Sequence, residues 1–184
     1  MKAPRLKLQL TAAHASRALV RIHRTFEEFA IDGVVVGLGE RWLLMLIVAD
    51  GANYAGFQAF RYSDIEAVDA PSPRATFLKT ALRLRGSRRP VTPRLDLSST
   101  QALLDSAGRR FTLVTIHREK VDAEICQIGS VVATTTTSVS LREITPDADW
   151  EDEPTTYRLS EITRVDLGGP YEDALALVAA SRSR

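Results

Sequence analysis

The sequence predicts a mainly β chain with short helices, of α+β class, in which one structural unit occurs twice. The first observation behind this is an internal repeat. Phe60-Arg61-Tyr62-Ser63-Asp64-Ile65 aligns with Tyr157-Arg158-Leu159-Ser160-Glu161-Ile162 at an offset of 97. At that offset Val68-Asp69 also meets Val165-Asp166, Pro73 meets Pro170 and Leu78 meets Leu175. Upstream, Leu19-Val20-Arg21-Ile22-His23-Arg24 matches Leu113-Val114-Thr115-Ile116-His117-Arg118 at an offset of 94, and Gly33 meets Gly129 at 96. Ordered anchors with slowly drifting offsets indicate a tandem duplication of a unit of about 65 residues. The second observation is the pattern inside each copy, where short runs alternate apolar and polar residues and are closed by turn formers.

The elements follow in order. A helix over 11–18 precedes the first copy. LVRIHR, residues 19–24, alternates as a strand with Val20 and Ile22 on one face and His23 on the other. WLLMLIV, residues 42–48, is a continuous apolar run, as in a strand covered on both faces. Pro73 opens a helix over the following ATFLKTALRLRG, since a proline loses nothing at a first helical position, and Gly86 stops it. Ser98 or Ser99 caps a short helix, TQALLDSA, ended by Gly108. LVTIHR then repeats the first strand. Strands follow over 125–132, bent at Gly129, and over 138–144; a polar acidic loop spans 146–154. TTYRLS and ITRVDL form two short strands broken near Ser160-Glu161, and Pro170 opens the last helix. The boundaries are 1–86 for the first unit with its terminal helix, 87–97 for an Arg/Pro-rich linker, and 98–184 for the second unit.

With 45% hydrophobic and 26% charged residues the chain can bury a core, which excludes a disordered class. Net charge is +1, but residues 1–110 carry 17 Lys/Arg against 10 Asp/Glu and residues 111–184 carry 7 against 13. Such a split can orient halves or like chains by complementarity, although salt screens it over about 10 Å. The single cysteine, Cys126, excludes an intrachain disulfide framework and reads as a buried, inert thiol. The charged start lacks the apolar run of a signal peptide, and no stretch reaches the roughly 20 apolar residues of a membrane span. The expected location is therefore the cytoplasm, without membrane partners.

A helix followed by about five short, bent strands resembles an SH3-like small barrel, and most closely the Sm-like proteins. The late Sm motif, Arg-Gly-x-Asn-Ile with an aliphatic residue three positions on, is similar to Arg158, Ile162 and Val165 here, and to Arg61, Ile65 and Val68. Gly33 and Gly129 stand where the bent second Sm strand carries glycine. The resemblance implies two small barrels in tandem, each followed by a helix, as in a bacterial family of tandem Sm-like domains. It also implies RNA binding through Arg61 and Arg158. The motif Asn, however, is replaced by Asp64 and Glu161, and a carboxylate beside a phosphate or base edge repels RNA.

His23 and His117 fall at equivalent positions of the repeat and are candidate acid/base or ligand groups, weighed against plain surface histidines. Trp150, among Asp147, Asp149, Glu151, Asp152 and Glu153, is either a partner-binding anchor or core. Arg83, Arg85, Arg88, Arg89 and Arg94 form the basic run, with few aromatics to stack bases. The spacing of Gly33, Gly37 and Gly39 is not a dinucleotide fingerprint, and no G-x-S-x-G elbow is present. No catalytic, metal or cofactor site is expected. The expected function is a non-catalytic interaction or regulatory module that binds a protein, another copy of itself or a small ligand. The alternative is RNA binding through Arg61, Arg158 and the basic linker with Arg85, Arg88 and Arg89.

Overall fold

The computed structural model describes residues 2–182; Met1, Ser183 and Arg184, at the outer ends of the two sequence units, lie outside the described residues. The chain divides into two compact units, Met1–Thr92 and Pro93–Arg184.

The first unit runs α1 (Lys2–Ser16), β1 (Leu19–Arg24), β2 (Ile31–Leu38), β3 (Trp42–Val48), β4 (Tyr54–Arg61), a 3-10 turn (Tyr62–Asp64), β5 (Ile65–Asp69) and α2 (Ala75–Leu84). Its strands are antiparallel in the order β5-β1-β2-β3-β4. Helix α1 is longer than the 11–18 segment expected. Leu6, Leu10 and Ala13, at i, i+4 and i+7, form its buried stripe, which the exposed Arg5, Lys7 and Leu8 mask in the sequence. That stripe packs on Val20, Ile22, Val35, Met45, Phe60, Ile65 and Val68. The other face of the sheet, through Leu19, Val34 and Val48, meets Ala75, Leu78 and Leu82 of α2. With helices on both faces, every residue of β3 is buried, as its unbroken apolar run requires.

The second unit runs α3 (Thr100–Gly108), β6 (Val114–His117), β7 (Cys126–Thr134), β8 (Ser138–Glu143), β9 (Thr155–Arg158), a 3-10 turn (Leu159–Glu161), β10 (Arg164–Leu167) and α4 (Pro170–Arg182). The strand order, β10-β6-β7-β8-β9, repeats that of the first unit. Ser99 caps α3, its Oγ accepting the Ala102 N–H at 3.1 Å, and Pro170 opens α4. Leu175 and Ala179 of α4 pack with Leu113, Ile144 and Ala148. The repeat extends to the register. Val20 lies opposite Gly33 and Val114 opposite Gly129, and a Cβ on either glycine collides with a carbonyl of the next strand, Leu46 O at 2.6 Å in the first unit and Arg142 O in the second.

The expectation of two small Sm-like or SH3-like barrels in tandem is corrected by this topology. The ten strands lie in open antiparallel sheet: β5 is laddered only to β1 and β9 only to β8, so no strand returns to close either set. The reason is coverage. In the first unit the α1 stripe Leu6, Leu10 and Ala13 packs into the face that a barrel would turn inward, among residues of all five strands. Mainly β with short helices remains the correct description.

Candidate functional site

In the first unit a cleft of about 730 Å³ lies between one face of α1 and the turn that leads into β5. Arg5, Leu6 and Gln9 come from α1, Thr25 from the turn just after β1, and Tyr62, Ser63, Ile65, Glu66, Ala67 and Val68 from the 3-10 turn and β5. Leu6, Ile65 and Val68 are buried and give the site an apolar base, while Arg5 and Glu66 are exposed at its rim. The turn is held rigid. Arg61 Nε donates to Asp64 Oδ2 at 2.7 Å, Ser63 Oγ donates to Asp64 Oδ1 at 3.1 Å, and Thr25 N–H donates to Asp64 O at 3.2 Å.

Tyr62 is the unusual member. Its ring packs against the core beneath α1, and Lys7 Nζ stands 5.3 Å from the ring centroid. Its hydroxyl is buried and has no hydrogen-bond partner among the described residues. Burial pushes the phenol up from its usual value of about 10 to about 12, so it is a neutral donor at physiological pH. The equivalent residue of the second unit is Leu159, which is buried and asks for no partner.

The fold supplies each histidine with a carboxylate. His23 Nε2 lies 3.1 Å from Asp69 Oδ2, and His117 Nε2 lies 3.1 Å from Asp166 Oδ2. The first pair is half exposed, with 44% of each side chain accessible; the second falls to 13% and 17%. The strand register explains the difference. Ala67 lies opposite His23, whereas Arg164 lies opposite His117 and reaches its Nε2 at 2.9 Å and Asp166 at 3.0 Å. The signal was present in the sequence, since both members of the pair recur between copies.

The remaining candidates are dispersed. Arg61 is engaged by Asp64, while Arg158 is exposed. Arg85 caps the end of α2, and Arg88 and Arg89 are exposed in the irregular segment that follows. Trp150 is half-buried against Ile144 and the α4 core, with the Arg142 guanidinium 5.4 Å from its ring. The duplicated Arg24 and Arg118 lie over Phe60 and Tyr157, each 4.7 Å from the centroid, so both serve packing.

Cys126 corrects a further expectation. It begins β7 in an exposed position rather than a buried one. Its surroundings still desolvate the thiol enough to push its pKa up, with Asp166 acting in the same direction and Arg164 against it, so it is no activated thiolate. Among the described residues no group of three or more His, Cys, Asp or Glu is placed to hold a metal ion, and no helix is long and apolar enough to cross a membrane.

Sequence reasoning missed the cleft because its α1 wall lies before the expected helix. No family model matches the chain, and neither a curated protein nor a solved structure matches it.

Proposed function

We propose that the chain is a non-catalytic binding module that takes a small ligand in the cleft between α1 and β5. The observation that carries this reading is that Tyr62, which lines the cleft, has a buried hydroxyl without a hydrogen-bond partner among the described residues. An unsatisfied buried hydroxyl costs about 1–3 kcal/mol, so such a group calls for a partner, and a ligand in the adjoining cleft is one that could supply the missing bond. The cleft volume of about 730 Å³ falls in the range of small-molecule sites. The ligand chemistry that fits is an apolar body against Leu6, Ile65 and Val68, with a carbonyl or carboxylate acceptor for Tyr62 and Arg5. Binding of this kind changes the packing of α1, which offers a route to regulation of a protein partner or of association between copies of the chain in the cytoplasm.

The test is a ligand-observed NMR screen of small carboxylates and amides against the wild type, Tyr62→Phe and Arg5→Ala. Hits that bind the wild type and weaken about tenfold or more in Tyr62→Phe support the site. Hits that ignore both substitutions remove it.

RNA binding is the second reading, favoured by the exposed Arg158 and opposed by the engagement of Arg61 with Asp64. Salt-dependent anisotropy of a U-rich oligonucleotide that vanishes in Arg158→Ala distinguishes it from the first.

A further inference from the structure

Three arginines meet at a second cleft, within the second unit and apart from the site proposed above. Arg94, Arg109 and Arg110 line a recess of about 440 Å³ together with Leu95, Asp96 and Ser106. All three arginines are exposed, and none has a side-chain hydrogen bond or ion pair among the described residues. This is unexpected in a unit that carries 10 Lys/Arg against 15 Asp/Glu, where cations have a surplus of acidic partners.

The recess is built rather than accidental. Ser106 Oγ accepts the Asp96 N–H at 2.9 Å and donates to Ala102 O at 2.8 Å, so the 94–96 segment is tied across α3. At the other side, the N–H groups of Arg110 and Phe111 both donate to Ala107 O at 2.9 Å, which fixes the turn bearing Arg109 and Arg110. Asp96 is the one acid of the recess, and its carboxylate accepts the Ser98 N–H at 3.0 Å. A cation beside a helix C-terminus needs no ligand to explain it, because the helix end presents about half a negative charge. Three guanidinium groups against that half charge and one occupied carboxylate leave about one and a half positive charges uncompensated.

We infer that this recess binds a phosphate oxyanion. Guanidinium forks match phosphate oxygens in bidentate geometry, and three of them suit a ligand with more than one phosphate group. Two sources present this chemistry, a free oligophosphate and the backbone of an RNA strand.

The experiment titrates the full chain by calorimetry with inorganic phosphate, tripolyphosphate and a short single-stranded RNA, at about 50 and 200 mM salt. The variants are Arg109→Ala, Arg109→Lys, the triple alanine change at Arg94, Arg109 and Arg110, and Lys79→Ala as a charge control outside the recess. The expected result is saturable binding of tripolyphosphate that falls about tenfold in Arg109→Ala, partly recovers in Arg109→Lys, disappears in the triple variant and is unchanged in Lys79→Ala. Binding of RNA alone, lost in the same variants, supports the oxyanion site and assigns the strand backbone as its source. Two outcomes overturn the inference: no saturable binding of any of the three probes at the lower salt, or binding that survives the triple substitution. Circular dichroism of each variant separates loss of binding from loss of folding.

Discussion

Replacing Tyr62 with phenylalanine should stabilise the unliganded protein. The substitution keeps the ring, and with it the packing beneath α1 and the contact with Lys7, and deletes only the hydroxyl. A buried hydroxyl without a partner costs about 1–3 kcal/mol. Because Tyr62 is half-buried as a residue, the lower end applies, a gain of about 1 kcal/mol. For a chain of this length that corresponds to a rise in Tm of about 2–4 °C. The assay is urea unfolding followed by circular dichroism, in which the midpoint should move up with an unchanged slope. A loss of about 1 kcal/mol or more would refute the reasoning, since it would mean that the hydroxyl already makes a net favourable bond. The same variant should bind cleft ligands more weakly, so stability and affinity should move in opposite directions.

Further outcomes are expected. Tyr62 and Tyr157 both have phenols raised to about 12, each through burial first, and Tyr157 also through its hydrogen bond to Glu143. Each holds its proton more tightly when folded, so ionisation opposes folding: stability is full below pH 10 and falls as pH rises through about 12. Urea midpoints measured between those pH values should therefore fall, and less steeply in Tyr62→Phe. Gly33→Ala should cost about 2–3 kcal/mol, because its Cβ would stand 2.6 Å from Leu46 O; a wild-type thermal midpoint for this variant would contradict the close approach. Asp32→Ala should cost about 3 kcal/mol in chemical unfolding, since it strands the Arg21 guanidinium that donates at 2.7 Å and the Ser72 hydroxyl at 2.6 Å. Ser99→Ala should cost about 1 kcal/mol through loss of the α3 cap, read most directly as faster amide exchange at Ala102.

The sequence was legible where local chemistry decides the outcome. The alternation of LVRIHR, the apolar run of β3, the cap at Ser99 and the proline at the start of α4 each became the element expected. Closure was not legible. A period-two pattern states which face of a strand is buried but not whether a strand or a helix buries it, and here α1 does so through Leu6, Leu10 and Ala13. The His–Asp pairs were half legible: both partners recur, but only the register of β1 with β5 and of β6 with β10 brings them to 3.1 Å. The cleft was illegible because Arg5, Gln9, Thr25 and Tyr62 come from three segments that no motif links. Arg109 and Arg110 stood in plain view after Gly108, where a helix end accounts for them. Only their convergence with Arg94 raises the question of a ligand.

Duplication leaves the molecule carrying its own comparison. The two copies agree where geometry admits one answer, at Gly33 and Gly129 and at the arginines lying over Phe60 and Tyr157. They part at Tyr62 and Leu159, and at Ala67 and Arg164, positions where the backbone tolerates either residue. Leu159 shows what the scaffold installs when nothing but packing is asked of that site. Once a second copy exists, one of the pair is released to accumulate costly polarity while its twin preserves the inert solution. Such division of labour within a single gene product lets the surface of one copy drift without eroding the framework that displays it.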